Sequence, residues 1–327
     1  MDDNTVILRP FRWDDLPALV DVTDAAADAD QEQERFTVET LREELTLEND
    51  PEADCVVAVT PAGKIVGYAY VEFQDDADRV WGYGWGAVHP DRRRQGIGTR
   101  LVSAADARFA ERLDAEAHDD RPAFIQRFLN AANPGVFALA QAQGYTKLRA
   151  SYRMGIALDR PVDPGPLPDG FVLRPFDPDR HAQAVFEVDQ AAFLDGGGQT
   201  IRMDYDDWHA HYIATPKFII PLWLIAWTGD AIAGVCISQP WGEDDPALGW
   251  ISRLGVLQQY RGRGLGESLL RHGFQALQQQ GFVRAALGVR ADSPAALHLY
   301  QRVGMQVYSH YVHYRKVLRG RAEDIQS

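Results

Sequence analysis

Apolar and polar positions along this chain follow two periods, and the same succession of periods runs through twice. In the second half an apolar run over 171–176 reads as a strand, and the patterns over 179–194 and 204–213 read as helices. The runs 222–227, 231–238 and 248–257 then read as three consecutive strands. A glycine-rich turn follows, and the helix beyond it sets Leu265, Leu269, Leu270, Phe274 and Leu277 on one face. A strand over 283–289 leads to a helix with Ser293 as N-cap, Pro294 in its first turn and Gly304 as its stop. The first half has the counterparts. Ile97, Leu101, Val102, Ala105 and Phe109 share a helix face after a second glycine turn, and Asn133, Pro134 and Gly144 bound a helix. The expected fold class is α/β, with a mixed, mostly antiparallel sheet flanked by helices in each half. A Rossmann domain places its glycine turn after the first strand, whereas here the turn follows the fourth.

Three sequence matches tie the halves together in the same order. Leu8-Arg9-Pro10-Phe11 recurs as Leu173-Arg174-Pro175-Phe176, the glycine turn recurs, and Asn133-Pro134…Gly144-Tyr145 recurs as Ser293-Pro294…Gly304-Met305. Between them, residues 159–170 hold four prolines and two glycines, a composition that reads as a semi-rigid linker. The expected organisation is a domain over 1–158, the linker 159–170, a second domain over 171–318 and a polar tail over 319–327. A length of 327 residues suits two such domains, each able to bury its own core.

Composition narrows the function. The net charge of −14 argues against a nucleic-acid partner, which needs clustered basic surface. No apolar run approaches the ~20 residues of a membrane span. The start Met1-Asp2-Asp3-Asn4 lacks the basic opening of a secretory signal. Two cysteines, Cys55 and Cys236, both in apolar strand-like runs, make no disulfide framework and read as buried. A cytoplasmic protein is expected. No zinc-type Cys/His spacing occurs, and His209 and His211, two apart on a helix, face different sides, so no metal is expected.

The two glycine turns read Arg93-Arg94-Gln95-Gly96-Ile97-Gly98 and Arg261-Gly262-Arg263-Gly264-Leu265-Gly266. Both fit R-x-x-G-x-G between a strand and an amphipathic helix. Glycines let successive amides converge on an anion, and the helix N-terminus adds partial positive charge. Such a turn suits a pyrophosphate. The arginines within it either neutralise ligand phosphates or are solvated loop charges.

With these motifs each half resembles the GNAT superfamily of N-acetyltransferases, and the resemblance covers nearly the whole chain in two copies. It implies two tandem GNAT-like domains and acetyl-CoA as co-substrate. It also implies CoA pyrophosphate on the amides of Arg261, Gly262, Arg263, Gly264, Leu265 and Gly266, with the pantetheine arm along Leu254, Gly255 and Val256. The family's second signature resembles N-x-x-A-x-x-x-Y-x-x-x-G-F, onto which Ser293, Ala296, Tyr300, Gly304 and Met305 fall. By that resemblance Ser293 belongs to the cofactor site and Tyr300 is the general acid for the leaving thiolate. By helical spacing alone, Tyr300 is an aromatic packed beside Leu297 and Val303. In the first half Ala87, Val88, Arg93, Arg94, Gln95, Gly96, Ile97 and Gly98 form the corresponding cofactor turn. Ala140 stands where the tyrosine belongs and Val136 where the alanine belongs, so that half is expected to be non-catalytic. The tandem layout also resembles the mycothiol synthase family, whose members acetylate the amine of a cysteinyl pseudodisaccharide.

Acceptor and base are less determined. The family's acceptor segment falls on Leu194–Gln199 and Asp204–Trp208, where Asp195, Asp204 and Trp208 are the candidate acceptor contacts. Asp204, Asp206 and Asp207 equally suit the start of a helix. The strand 250–256 carries no glutamate to act as base. Glu243, Asp244 and Asp245 in the preceding turn either serve through water or form a solvated acidic hairpin, which leaves the base unassigned. The expected activity is acetyl transfer to the primary amine of a small molecule by direct attack in a ternary complex. A peptide or protein amine, and a non-catalytic acyl-CoA sensor, are the alternatives. Oligomeric state is not legible.

Overall fold

The computed structural model describes residues 6–32, 35–46, 50–116, 120–194, 204–242 and 245–321. The chain divides into two compact units, one of residues 1–151 with 309–326 and one built on residues 152–308.

In the first unit the chain runs through β1 (Ile7–Pro10), α1 (Leu16–Ala29), α2 (Val38–Thr46), the short α3 (Pro51–Asp54), β2 (Cys55–Val59), β3 (Ile65–Val71), β4 (Gln74–Asp75) and β5 (Val80–Val88). It continues through α4 (Ile97–Glu116), β6 (Ala123–Asn130), α5 (Pro134–Ala142) and the first part of β7 (Thr146–Ala157). The sheet order is β1-β2-β3-β5-β6-β13, where β13 is Gln306–Arg319. Only β5 and β6 are parallel; the other pairs in this order are antiparallel. Strand alternation sorts the core into two faces. Val57, Val59, Tyr68 and Tyr70 pack with Leu16, Leu19 and Val22 of α1 and Leu41 and Leu45 of α2. Ala58, Ala69, Val80 and Ile125 pack with Ile97, Leu101, Ala105 and Phe109 of α4.

The unit boundary differs from the expected one. Residues 309–318 belong with the first unit and residues 152–158 with the second. The cause is strand pairing, since β13 lies antiparallel to β6 from Tyr311 opposite Asn130 to Arg319 opposite Ala123. Val312 and Tyr314 enter the first unit's core, and Lys316 reaches Asp106 at 2.9 Å.

The second unit contains β8 (Val172–Arg174), α6 (Pro178–Leu194), α7 (Tyr205–Tyr212), β9 (Trp223–Thr228), β10 (Ala231–Pro240), β11 (Leu248–Val256), α8 (Leu265–Gln279), β12 (Arg284–Arg290) and α9 (Pro294–Arg302). These follow the expected elements closely. Residues 159–168 are neither helix nor strand. The strands run in the order β8-β9-β10-β11-β12, antiparallel except for the parallel pair β11/β12. The predicted stripe of α8, with Leu265, Leu269, Leu270, Phe274 and Leu277, is buried against the sheet. Each such side chain contributes about 1.5–3 kcal/mol. No helix among the described residues is long and apolar enough to cross a membrane. Both thiols are buried, at Cys55 and Cys236.

Candidate active site

The site begins with a defect in a strand. Between β10 and β11 the register passes from Ile237 opposite Arg253 to Ser238 opposite Ile251, so Ser252 is an extra residue in β11. A bulge of this kind bends its strand. On the other edge of β11, parallel pairing with β12 runs from Leu248 opposite Arg284 only to Trp250 opposite Ala286. Both strands continue, to Val256 and Arg290, without further pairs to each other. Main-chain groups of Ser252–Val256 on that edge are therefore open to a ligand, apart from the Val256 carbonyl, which accepts from the Arg261 side chain. The first unit repeats the arrangement: β5 and β6 pair from Val80 opposite Ala123 to Tyr83 opposite Gln126, and β5 then runs on to Val88 without further pairs to β6. Leu254, Gly255 and Val256 lie in the parted stretch, as do Ala87 and Val88 in theirs.

Beyond each parted strand stands the glycine turn. Gly262 and Gly264 have φ of 75° and 82°, and Arg94 and Gly96 at the matching places have φ of 64° and 77°. The turn thus needs two left-handed residues, and in the first unit a non-glycine residue occupies one of them, where it carries strain. Gly264 is the N-cap of α8 and offers no side-chain cap, so the first amides of the helix face outward without one. Leu265 and Ile97 bury their side chains in the cores, so only their amides belong to the turn surface.

The leading arginines do something other than neutralise phosphates. Arg261 donates from Nε to the Val256 carbonyl at 2.9 Å and from Nη2 to the Ala192 carbonyl at 2.8 Å. Arg93 donates to the Val88 carbonyl at 3.2 Å and holds Asp30 with both terminal nitrogens at 2.6 and 2.9 Å. Each pins its turn to the end of the preceding strand and to the first long helix region. Arg263 lies over the ring of Tyr260. The duplication carried the signal for this role, because an arginine stands five residues after the strand's last residue in both halves.

Tyr300, on α9, packs against the second unit's core near Cys236. Burial, and then that neighbour, make its phenol a weaker acid, pushed up to about 12. Its hydroxyl makes no hydrogen bond among the described residues. Cys236 pairs with Leu254 and points toward α8, where its Sγ abuts Gly273. Leu299, beside Tyr300, lies near Gly266 in the first turn of α8. A protonated, uncommitted phenol therefore sits on the α8 side of the sheet, one residue along α9 from the leucine that meets the first turn of α8. Ala140, its counterpart, is buried and has no such group. Ser293 occupies the N-cap position of α9, but its side chain makes no cap hydrogen bond, contrary to the expected capping role.

The expected acceptor contacts are placed differently. Asp204 accepts the Asp207 amide at 2.8 Å as N-cap of α7. Trp208 is fully buried among Phe186, Tyr205, Tyr212 and Trp223, in the core rather than on the site's surface. Asp195, Glu243 and Asp244 lie outside the described residues. Asp245 holds Arg284 at 2.6 Å, which ties up the described acid of that hairpin. On β11, the strand without a glutamate, Arg253 pairs with buried Asp189 at 2.7 Å. Burial pushes the Asp189 carboxyl up, against the opposing pull of Arg253.

A mostly antiparallel sheet, parted between its one parallel pair beside a glycine turn that leads into a helix, is built twice in this chain. The profile of the acetyltransferase (GNAT) family matches residues 19–128 and 183–305, and the chain belongs to that family. The family uses acetyl-CoA. A mycothiol acetyltransferase of Salinispora arenicola is 32% identical over 326 residues, spanning 96% of this chain and 98% of its own. Another, of Saccharopolyspora erythraea, is 29% identical over 261 residues, or 77% and 82% of the two chains. A GCN5-related N-acetyltransferase from Sphaerobacter thermophilus superposes with a TM-score of 0.82 at 28% identity over 98% of both chains. A tandem GNAT protein from the clavulanic acid biosynthesis pathway shares the fold, with a TM-score of 0.68 at 20% identity over 97% of this chain and 100% of its own.

Proposed function

We propose that the second unit transfers an acetyl group from acetyl-CoA to the primary amine of a small molecule, and that the first unit is non-catalytic. The observation that carries this reading is the asymmetry at one helix position: Tyr300 with a free, protonated hydroxyl in one unit, Ala140 in the other. When bound, acetyl-CoA supplies an activated acyl group and a thiolate leaving group. The amides of the turn 261–266 would hold its pyrophosphate, and the open edge of Leu254, Gly255 and Val256 would hold its amide arm. The uncapped helix start and the left-handed glycines fit a close main-chain approach by phosphate oxygens. Tyr300 would then donate a proton to the departing sulfur. A phenol with a pKa raised to about 12 stays protonated throughout the physiological range, as a donor must.

The names of the similar mycothiol acetyltransferases favour an aminoacylated sugar amine as acceptor class. The test is acetyl-CoA consumption against a library of primary amines that includes a cysteinyl pseudodisaccharide, peptide N-termini and polyamines. Turnover of a small amine supports the proposal; turnover of peptides alone, or acetyl-CoA binding without any turnover, contradicts it.

A further inference from the structure

Beside α7 lies a solvent-open cavity of about 360 Å³ that no sequence motif indicated, lined by the exposed His211 and Lys217 and by Thr215 and Gln239 among others. Its place relative to the parted strands follows from alternation along β10. Cys236 and Ser238 face Gly273 of α8, so Gln239 faces the opposite side of the sheet. Gln239 pairs with Trp250, the residue at which β11 and β12 part. The wall of the cavity at Gln239 therefore lies one strand from the fork, on the face away from Tyr300.

His211 is the titratable group of this cavity without an internal partner. Among the described residues its ring nitrogens make no hydrogen bond, and its ring contact is with Tyr212 at 4.5 Å. The charged groups around it are Lys217 on the segment after α7 and Arg253 on β11. Lys217 also donates to the Trp241 carbonyl, and Arg253 is paired with Asp189 of α6. His211 is exposed, and partial desolvation of its ring first, then those two cations, hold the imidazole below its ordinary value of 6.5, so it is neutral at physiological pH.

We propose that this cavity receives the acceptor amine and that His211 is the general base of the second unit. The inference rests on the reading of the second unit as the acetyl-transferring one. In the step, the amine nitrogen forms a bond to the thioester carbonyl carbon and the carbon–sulfur bond breaks. His211 takes the proton from nitrogen on one face of the sheet, and Tyr300 gives one to sulfur on the other. Both residues regain their starting state by exchange with water. The cationic surroundings also favour the neutral, nucleophilic form of the incoming amine.

Bromoacetyl-CoA tests this with no acceptor present. A neutral imidazole beside the acyl group displaces bromide from the bromoacetyl carbon, forming a carbon–nitrogen bond and releasing bromide and a proton. Both cysteines are buried, which keeps competing thiols out of reach. Peptide mass spectrometry is expected to find the adduct on His211, suppressed by excess CoA and absent from His211→Gln, while His209→Gln labels normally. Labelling is expected to fall as the pH is lowered, with a midpoint below pH 6.5. A CoA-protected adduct on another residue of the second unit, or bound reagent with no adduct on His211, overturns the inference and leaves the second unit's role intact. CoA affinity that Gly264→Val does not change overturns the reading of the second unit and the inference with it.

Discussion

Tyr300 and Arg261 sit one helix apart in the same unit, and they carry different kinds of work. Tyr300 contributes a proton, so Tyr300→Phe should lower kcat by roughly 10²–10⁴ while leaving acetyl-CoA affinity nearly unchanged, because only the hydroxyl is lost. Since burial pushes its phenol up to about 12, no loss of kcat between pH 7 and 10 should trace to Tyr300. A pH profile of wild type against Tyr300→Phe checks this: an alkaline limb in that range that vanishes in the variant would contradict the assignment. Arg261 holds backbone. Arg261→Lys replaces a planar fork bonded to two carbonyls with a single ammonium. The expected cost is about 1–3 kcal/mol, seen as a lower melting temperature and weaker CoA binding in calorimetry. That arginine was legible as part of a motif, yet its direction was not, because a motif gives spacing and not where a long side chain turns. Trp208 shows the same limit, since a tryptophan amid carboxylates reads as a contact until packing shows it in the core.

At the scale of elements, the strands and helices of the second half stood out because each buries one face, and burial imposes its period on the sequence. The glycine turn was legible for a related reason: left-handed backbone selects glycine. Gly264→Val places a branched side chain at a φ of 82° and over the helix start. A loss of CoA affinity of tenfold or more in a folded protein is expected by calorimetry, and unchanged affinity would refute the site. The bulge at Ser252 and the parting of β11 from β12 were not legible. Both depend on which strand lies alongside, and pairing partners leave little mark in a local pattern. The cavity at His211 was hidden for the same cause, being assembled from the end of one helix and a strand brought to it by the fold.

Across the whole molecule, the repeat was clear in sequence while the destination of the last strand was not, because residues 306–319 alternate like any half-buried strand. In the structure β13 completes the first unit's sheet and brings Lys316 to Asp106, which also accepts from Arg127 at 2.9 Å and Tyr145 at 2.7 Å. Asp106→Ala would leave Arg127 buried without its carboxylate partner, at an expected cost of about 3–5 kcal/mol of stability. Hydrogen exchange should show β6 losing protection in that variant, and kcat at a permissive temperature should hold if the first unit is non-catalytic. The central claim is that catalysis belongs to the second unit, and steady-state kcat of two variants on one acceptor tests it most directly. Tyr300→Phe should lose roughly 10²–10⁴ in kcat, and a folded Gly96→Val/Gly98→Val protein should retain most of it. If Tyr300→Phe keeps full kcat while the Gly96/Gly98 variant is dead, the catalyst is the first unit.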